Sequence, residues 1–238
     1  MNRGGRQRIW LLFLKSYLET DLSLAIFDLD NTLLMGDSDY AWGQFLIEQN
    51  AVEKAGYERE NQRYYEKYLA GTLDIFEFLA FALHPLKQFE RAQLDAWHRQ
   101  FMQSKILPMI TKASRALVEK HRRAGDTLVI VTATNSFITR PIAAEFGVEN
   151  LLATEPEEVN GRFTGKVRGT PCFQAGKVER LKAWLSEHRY NLKGSWFYSD
   201  SHNDLPLLNL VDHPVAVEPD AILRDHAQAQ GWPIIHLH

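Results

Sequence analysis

Residues 22–28 read Leu-Ser-Leu-Ala-Ile-Phe-Asp, a short apolar stretch that ends in a carboxylate, with a second carboxylate at Asp30. Few features restrict a fold more. A short apolar run bounded by polar residues predicts a strand buried on both faces, and such strands belong to parallel sheets covered by helices. Residues 127–132 (Thr-Leu-Val-Ile-Val-Thr), 151–154, 195–199 and 214–217 repeat the pattern. Helical periodicity occupies 110–123, 135–146 and 175–187, with a short helix at 204–210 and a last one before Pro233. Along 110–123 the residues Ala113, Ala116, Leu117 and His121 share one side and are expected to face the core. Gly125 predicts a helix C-cap, and Asn160-Gly161 predicts a hairpin turn. Strands alternating with helices predict a three-layer, Rossmann-like α/β core with a mainly parallel sheet and right-handed crossovers.

Residues 38–105 differ. Trp42, Phe45 and Leu46, then Phe76, Leu79 and Leu83, then Leu94, Trp97 and Phe101 recur at helical spacing, with no period-2 alternation. This predicts an all-helical unit on a small core of its own, inserted after the first strand. The expected organisation is an N-terminal extension over 1–20, an α/β core from 21–36 and 107–238, and a helical domain over 37–106. The extension places Arg3, Arg6 and Arg8 before an apolar run over 9–14. That run is shorter than the ~7–15 residues of a signal-peptide core or the ~20 of a membrane span.

In open α/β sheets, ligands bind at the carboxyl ends of the strands. Here those ends carry Asp28 and Asp30, then Thr132, Ala133 and Thr134, then Asp200, Asn203 and Asp204, while a helix starts near Lys177. So many acids at one rim repel one another, and a divalent cation is the natural neutraliser. The residue types suit phosphoryl transfer. A carboxylate attacks phosphorus once charge is screened, a second acid two positions on moves the proton, and Lys, Thr and backbone N–H groups hold the phosphate oxygens. An isolated Asp-x-Asp is weak evidence, because such pairs also occur in turns. The same pair after an apolar strand, followed in order by a strand-end Thr, a helix-start Lys and Asp-x-x-x-Asp, is specific.

Asp28-Leu-Asp30-Asn-Thr32, Thr132, Lys177 and Asp200-Ser-His-Asn-Asp204 resemble the four ordered motifs of the haloacid dehalogenase (HAD) superfamily. The helical insert between the first two motifs, with residues 217–220 and 231–235, resembles the phosphoserine phosphatase-like subfamily. The resemblance implies Asp28 as nucleophile and Asp30 as acid/base. It implies Mg²⁺ held at Asp28, Asp200 and the backbone carbonyl of Asp30, and phosphate held by Thr132, Ala133 and Lys177. Asp204 would hold a metal-bound water or Lys177, with Asn203 auxiliary. Asp37 stands nine positions after Asp28, where phosphoserine phosphatases carry a substrate-binding Glu, and is expected to help select the substrate. Asp39, Tyr40, Arg63, Tyr64 and Tyr65 are further cap candidates. Ser199 stands where many relatives carry glycine. The implied activity is Mg²⁺-dependent hydrolysis of a small phosphorylated metabolite, phosphoserine or histidinol phosphate among the types, through an aspartyl-phosphate. A phosphotransferase using the same intermediate and a silent phosphometabolite-binding protein remain open alternatives.

A formal net charge of -3 gives no global positive field for nucleic acid or an anionic membrane, so neither is an expected partner. The single cysteine, Cys172, cannot form an internal disulfide and fits a cytoplasmic protein, monomeric or homodimeric. Arg162, Lys166 and Arg168 surround the predicted hairpin, where they either meet a phosphate or form a solvated face.

Overall fold

A computed structural model describes residues 23–238, so the extension expected over 1–20 lies outside the described residues. Six parallel strands form the main sheet in the order β3-β2-β1-β6-β7-β8. They are β1 (Leu24–Phe27), β2 (Thr127–Asn135), β3 (Asn150–Thr154), β6 (Trp196–Ser199), β7 (His213–Val217) and β8 (Ile234–Ile235). Side chains alternate across the sheet, as strand geometry requires. Ala25, Phe27, Ile130, Tyr198 and Val217 join one apolar cluster, while Leu24, Ile26, Val129, Val131, Phe197 and Ala216 join another. Each face is covered, which is why these strands lack a polar side and read as continuous apolar runs.

The crossover helices are α6 (Lys112–Ala124), α7 (Ser136–Glu145), α8 (Ala175–His188), the short α9 (Leu205–Leu208) and α10 (Ala221–Gln230). Gly125 ends α6 in the left-handed region at φ 86°, as a C-cap does. Asn160 and Gly161 both have positive φ between β4 (Pro156–Val159) and β5 (Arg162–Val167), the backbone that a tight hairpin demands. The buried side of α6 differs from the sequence expectation: it carries Ser114, Val118 and His121, while Ala113 and Ala116 are exposed. Small residues cost little on either side of a helix, so alanines mark a buried stripe poorly. His121 is held there by Asp126 at 2.6 Å and the Tyr198 hydroxyl at 2.7 Å.

Between β1 and β2 lie α1 (Ser38–Glu48), α2 (Lys54–Leu69), α3 (Ile75–Ala82), α4 (His84–Gln88) and α5 (Arg91–Phe101). Asp37, Glu53 and Asp74 cap the first three through side-chain carboxylates. This helical block does not keep a core of its own. Trp42, Phe45, Leu83, Leu94 and Phe101 join the same apolar cluster as Phe27 and Ile130. The reason is visible at Trp42, whose ring lies 5.1 Å from Phe101 and 5.7 Å from Phe137 on α7. Phe76 also departs from its expected place and is 66% exposed, because α3 buries Leu79 and Ala82 on another side. The two passages joining the block to the sheet run side by side: Leu34 and Ile110 form an antiparallel bridge, and Met35 N–H donates to Met109 O at 2.9 Å.

Candidate active site

Asp28 follows the last residue of β1, and its N–H still bonds to Tyr198 O of β6 at 2.9 Å, so sheet pairing fixes its backbone. Its Oδ1 accepts from Leu29 N–H at 2.8 Å and lies 3.0 Å from the Lys177 ammonium. No described residue partners Oδ2. Lys177 sits in the first turn of α8, where Gly176 allows an unusual approach: a Cβ there would stand 2.0 Å from Pro171 O. The same ammonium is 2.8 Å from Asp204 Oδ2, which also accepts from Ser199 Oγ at 2.7 Å. Of the two roles expected for Asp204, holding Lys177 is the one seen. Ser199 uses its hydroxyl to steady that carboxylate and does not have positive φ.

Asp200 is buried, and Thr32 Oγ1 donates to its Oδ1 at 2.9 Å. Asp30 turns toward the other side. Ser38 N–H donates to its Oδ1 at 2.7 Å, and Thr134 Oγ1 to its Oδ2 at 2.8 Å. The Thr132 hydroxyl, expected on phosphate, points at the same Oδ2 from 3.3 Å. Asn203 is buried and accepts from Gln174 Nε2 at 2.8 Å. Gln174 precedes α8 with φ 46°, a strained backbone for a side-chain-bearing residue.

Asp28, Asp30, Asp37, Thr132, Ala133, Lys177, Asn203 and Asp204 line one cavity that is open to solvent. Asp200 does not line that cavity and opens instead onto a groove with Ser201, His202 and Asp220. Of the cap candidates, Asp39, Tyr40, Tyr64 and Tyr65 line the main cavity, joined by Tyr68 and Phe173. Arg63 does not: it pairs with Glu60 and Glu77 on the outside of α2. Arg162 is paired with Glu90, and Arg168 lies beside Glu155, so neither lines the cavity. Sequence reasoning places Thr32 and Ser199 in the motifs but assigns them no role, and it does not single out Gln174 or Asn61, which carry no local signal.

Burial pushes the Asp28 carboxyl well up, Lys177 opposes this, and Asp204, Asp200 and Asp30 add to it. Burial likewise raises Asp200 to about 7 against the Thr32 hydrogen bond. Burial alone would lower Lys177, but Asp204 and Asp28 outweigh it and hold the ammonium charged. One ammonium thus serves several buried carboxylates, and the site is short of positive charge. Among the described residues no three His, Cys, Asp or Glu side chains form a ready metal cluster. Two carboxylates with a main-chain oxygen and water nonetheless suit Mg²⁺, which keeps several waters and takes few protein ligands.

The fold and the site define a hydrolase of the haloacid dehalogenase type. The chain belongs to the haloacid dehalogenase-like hydrolase family, whose sequence model matches residues 25–209. Within that family it is a phosphatase. It is 45% identical over 218 residues to a histidinol-phosphatase of Neisseria meningitidis serogroup C, covering 90% of this chain and 98% of the relative. A crystal structure of a protein of unknown function from Bordetella pertussis Tohama I matches with a TM-score of 0.86 and 45% identity, over 91% of this chain and 99% of that one. A substrate-bound phosphoserine phosphatase complex matches with a TM-score of 0.68 at 18% identity, over 91% and 94% of the two chains, a likeness of fold. No helix among the described residues is long and apolar enough to cross a membrane.

Proposed function

We propose that this phosphatase hydrolyses the phosphomonoester of a small amine-bearing alcohol, with Mg²⁺, through an aspartyl-phosphate on Asp28. The observation that carries the reading is the buried group of Asp28, Lys177 and Asp204, with Asp200 beside it, at the carboxyl ends of β1 and β6. Asp28, Asp200 and the main-chain carbonyl of Asp30 are the groups that would hold Mg²⁺. The ion, when bound, offsets carboxylate and phosphate charge so that the two can approach.

The Asp28 carboxylate attacks phosphorus and the P–O bond to the alcohol breaks. Asp30, in its acid form, gives the departing oxygen its proton. Water then attacks phosphorus of the aspartyl-phosphate, Asp30 takes a proton from it, and Asp28 and inorganic phosphate are regenerated. Lys177, Thr132 and the Ala133 N–H hold the non-reacting phosphoryl oxygens. Thr132 leaves Asp30 to do so, which frees the acid for the leaving oxygen. Residues 37–106 act as the cap that closes over the alcohol and excludes water. Asp37 neighbours Asp30 and the cavity, and receives the alcohol's ammonium.

Histidinol phosphate is the first substrate to test, given the histidinol-phosphatase relative. Phosphate release from a panel of metabolite phosphates, with Mg²⁺ and with EDTA, tests the reading. We expect turnover of an amino-alcohol phosphate that EDTA removes and Mg²⁺ restores. Turnover that persists in EDTA would remove the metal from the scheme, and binding without turnover of any ester would sink the scheme itself.

A further inference from the structure

Between Asp200 and Asp204 lie Ser201, His202 and Asn203, and each of them meets the C-terminal end of α2. Asn203 Nδ2 donates to the Tyr68 main-chain oxygen at 3.4 Å. Carbonyls of a last helical turn lack full intrahelical partners, and this one also takes the Gly71 N–H at 3.0 Å. The Tyr68 hydroxyl shares a hydrogen bond with Ser201. Burial, with the Asp200, Asp28 and Asp204 carboxylates nearby, keeps that hydroxyl protonated, well above its ordinary range. His202 faces Gly71, where a Cβ would stand 3.0 Å from the ring Nε2. The ring is fixed from behind: Nδ1 lies 2.8 Å from Asp220 Oδ2, and the His202 N–H donates to the same oxygen at 2.7 Å. Gly71 has φ 69°, a turn that glycine makes without strain.

Tyr68 lines both the main cavity, onto which Asp28 opens, and the groove onto which Asp200 opens. It therefore stands in the wall between the two carboxylates of the proposed Mg²⁺ site, with its ring 6.2 Å from that of Phe173. The contact has an electrostatic sign. It sets the negative end of the α2 dipole and a phenol oxygen beside the buried Asp200 and Asp204. Uncompensated carboxylates disfavour that approach, and a cation among them reverses the sign.

We infer that Tyr68 and Gly71 form a docking turn for residues 201–203, so that closure of the helical cap and Mg²⁺ binding at Asp200 favour each other, with Tyr68 a positioning residue for the metal-binding loop. The inference rests on the Mg²⁺ of the proposed function and goes beyond it by coupling the ion to the cap. The coupling is reciprocal: the factor by which the ion tightens docking is the factor by which docking tightens the ion.

The test uses the full chain with Mg²⁺ alone and no ester. Hydrogen exchange is followed over residues 66–74, and Mg²⁺ affinity is read by calorimetric titration. In the wild type, saturating Mg²⁺ is expected to slow exchange of this segment by about 5-fold or more. Tyr68→Phe keeps the ring against Phe173 and removes the hydroxyl; Gly71→Ala strains the turn and meets His202. Each is expected to raise the Mg²⁺ dissociation constant by about that factor and to shrink the slowing. Phe76→Ala, at an exposed position of α3, is expected to change neither.

Variants that exchange faster by one factor with and without Mg²⁺, at unchanged affinity, would show a merely structural role and overturn the coupling. So would a wild-type segment that ignores Mg²⁺ while the titration shows binding, or equal losses in Phe76→Ala. In each of these cases the phosphatase reading stands. A full chain that takes up no Mg²⁺ in the titration would overturn the coupling and the metal of that reading together.

Discussion

The hydroxyl of Thr32 donates to Asp200 Oδ1 at 2.9 Å, joining two loops 168 residues apart in the chain. The bond opposes the burial that raises the Asp200 carboxyl, and it occupies one oxygen; under the proposed function the other oxygen would hold the cation. Groups that orient a metal-binding carboxylate typically change affinity by about 10–100-fold when removed. Thr32→Val keeps the branched shape and removes the donor. We expect it to raise the Mg²⁺ concentration for half-maximal phosphate release by about that factor, read from a metal titration. An unchanged titration would reduce Thr32 to packing.

Lys177 is the ammonium shared by Asp28 and Asp204. Lys177→Met keeps the length of the chain and leaves two buried carboxylates uncompensated, a class of change that costs about 3–5 kcal/mol. The expected result is a loss of that size in denaturant unfolding together with loss of phosphate release. A variant as stable as the wild type would show that the carboxylates do not need this cation.

Gly176 brings the start of α8 against Pro171 O, which a side chain at 2.0 Å cannot accommodate without backbone movement. Overpacking of this kind costs about 1–3 kcal/mol. Gly176→Ala is expected to lower the unfolding midpoint accordingly and to lower kcat, since Lys177 is the next residue. A wild-type midpoint would contradict the close approach.

Burial, with Asp30 nearby, raises the Asp37 carboxyl to about 7. Below that pH it is protonated and cannot pair with an ammonium; above it the carboxylate is ionised. KM for an amine-bearing ester should therefore rise as pH falls through 7, approaching tenfold per unit on the acid side. Asp37→Asn keeps the cap on α1, because Asn caps helices about as well as Asp. It is expected to raise KM at pH 8 and flatten the profile. A wild-type KM constant from pH 6 to 8 would take Asp37 out of substrate binding.

Much of the fold was legible because the signals are local. The run 127–132 had to be a covered strand whatever lay around it, and the observed β2 begins at the expected Thr127 and continues to Asn135. Asn160-Gly161 made its turn for the same reason. The insert's core was misjudged because periodicity tells that Trp42 faces something apolar but not that Phe137 of α7 supplies it. The alanines of α6 misled because a methyl group buries too little area to choose a side.

From the sequence alone came the alternation of strands and helices, the helical insert and the order in which Asp28, Asp30, Thr132, Lys177 and Asp200 reach one rim of the sheet. Strand ends and helix starts are set within a few residues of chain, so their positions can be read directly. Only the tertiary structure decided that Asp204 holds Lys177, that Thr32 holds Asp200, and that the Asn61 amide nitrogen is buried with no partner. Hydrogen-bond partners and burial arise where separate elements meet in three dimensions, and no local pattern encodes them.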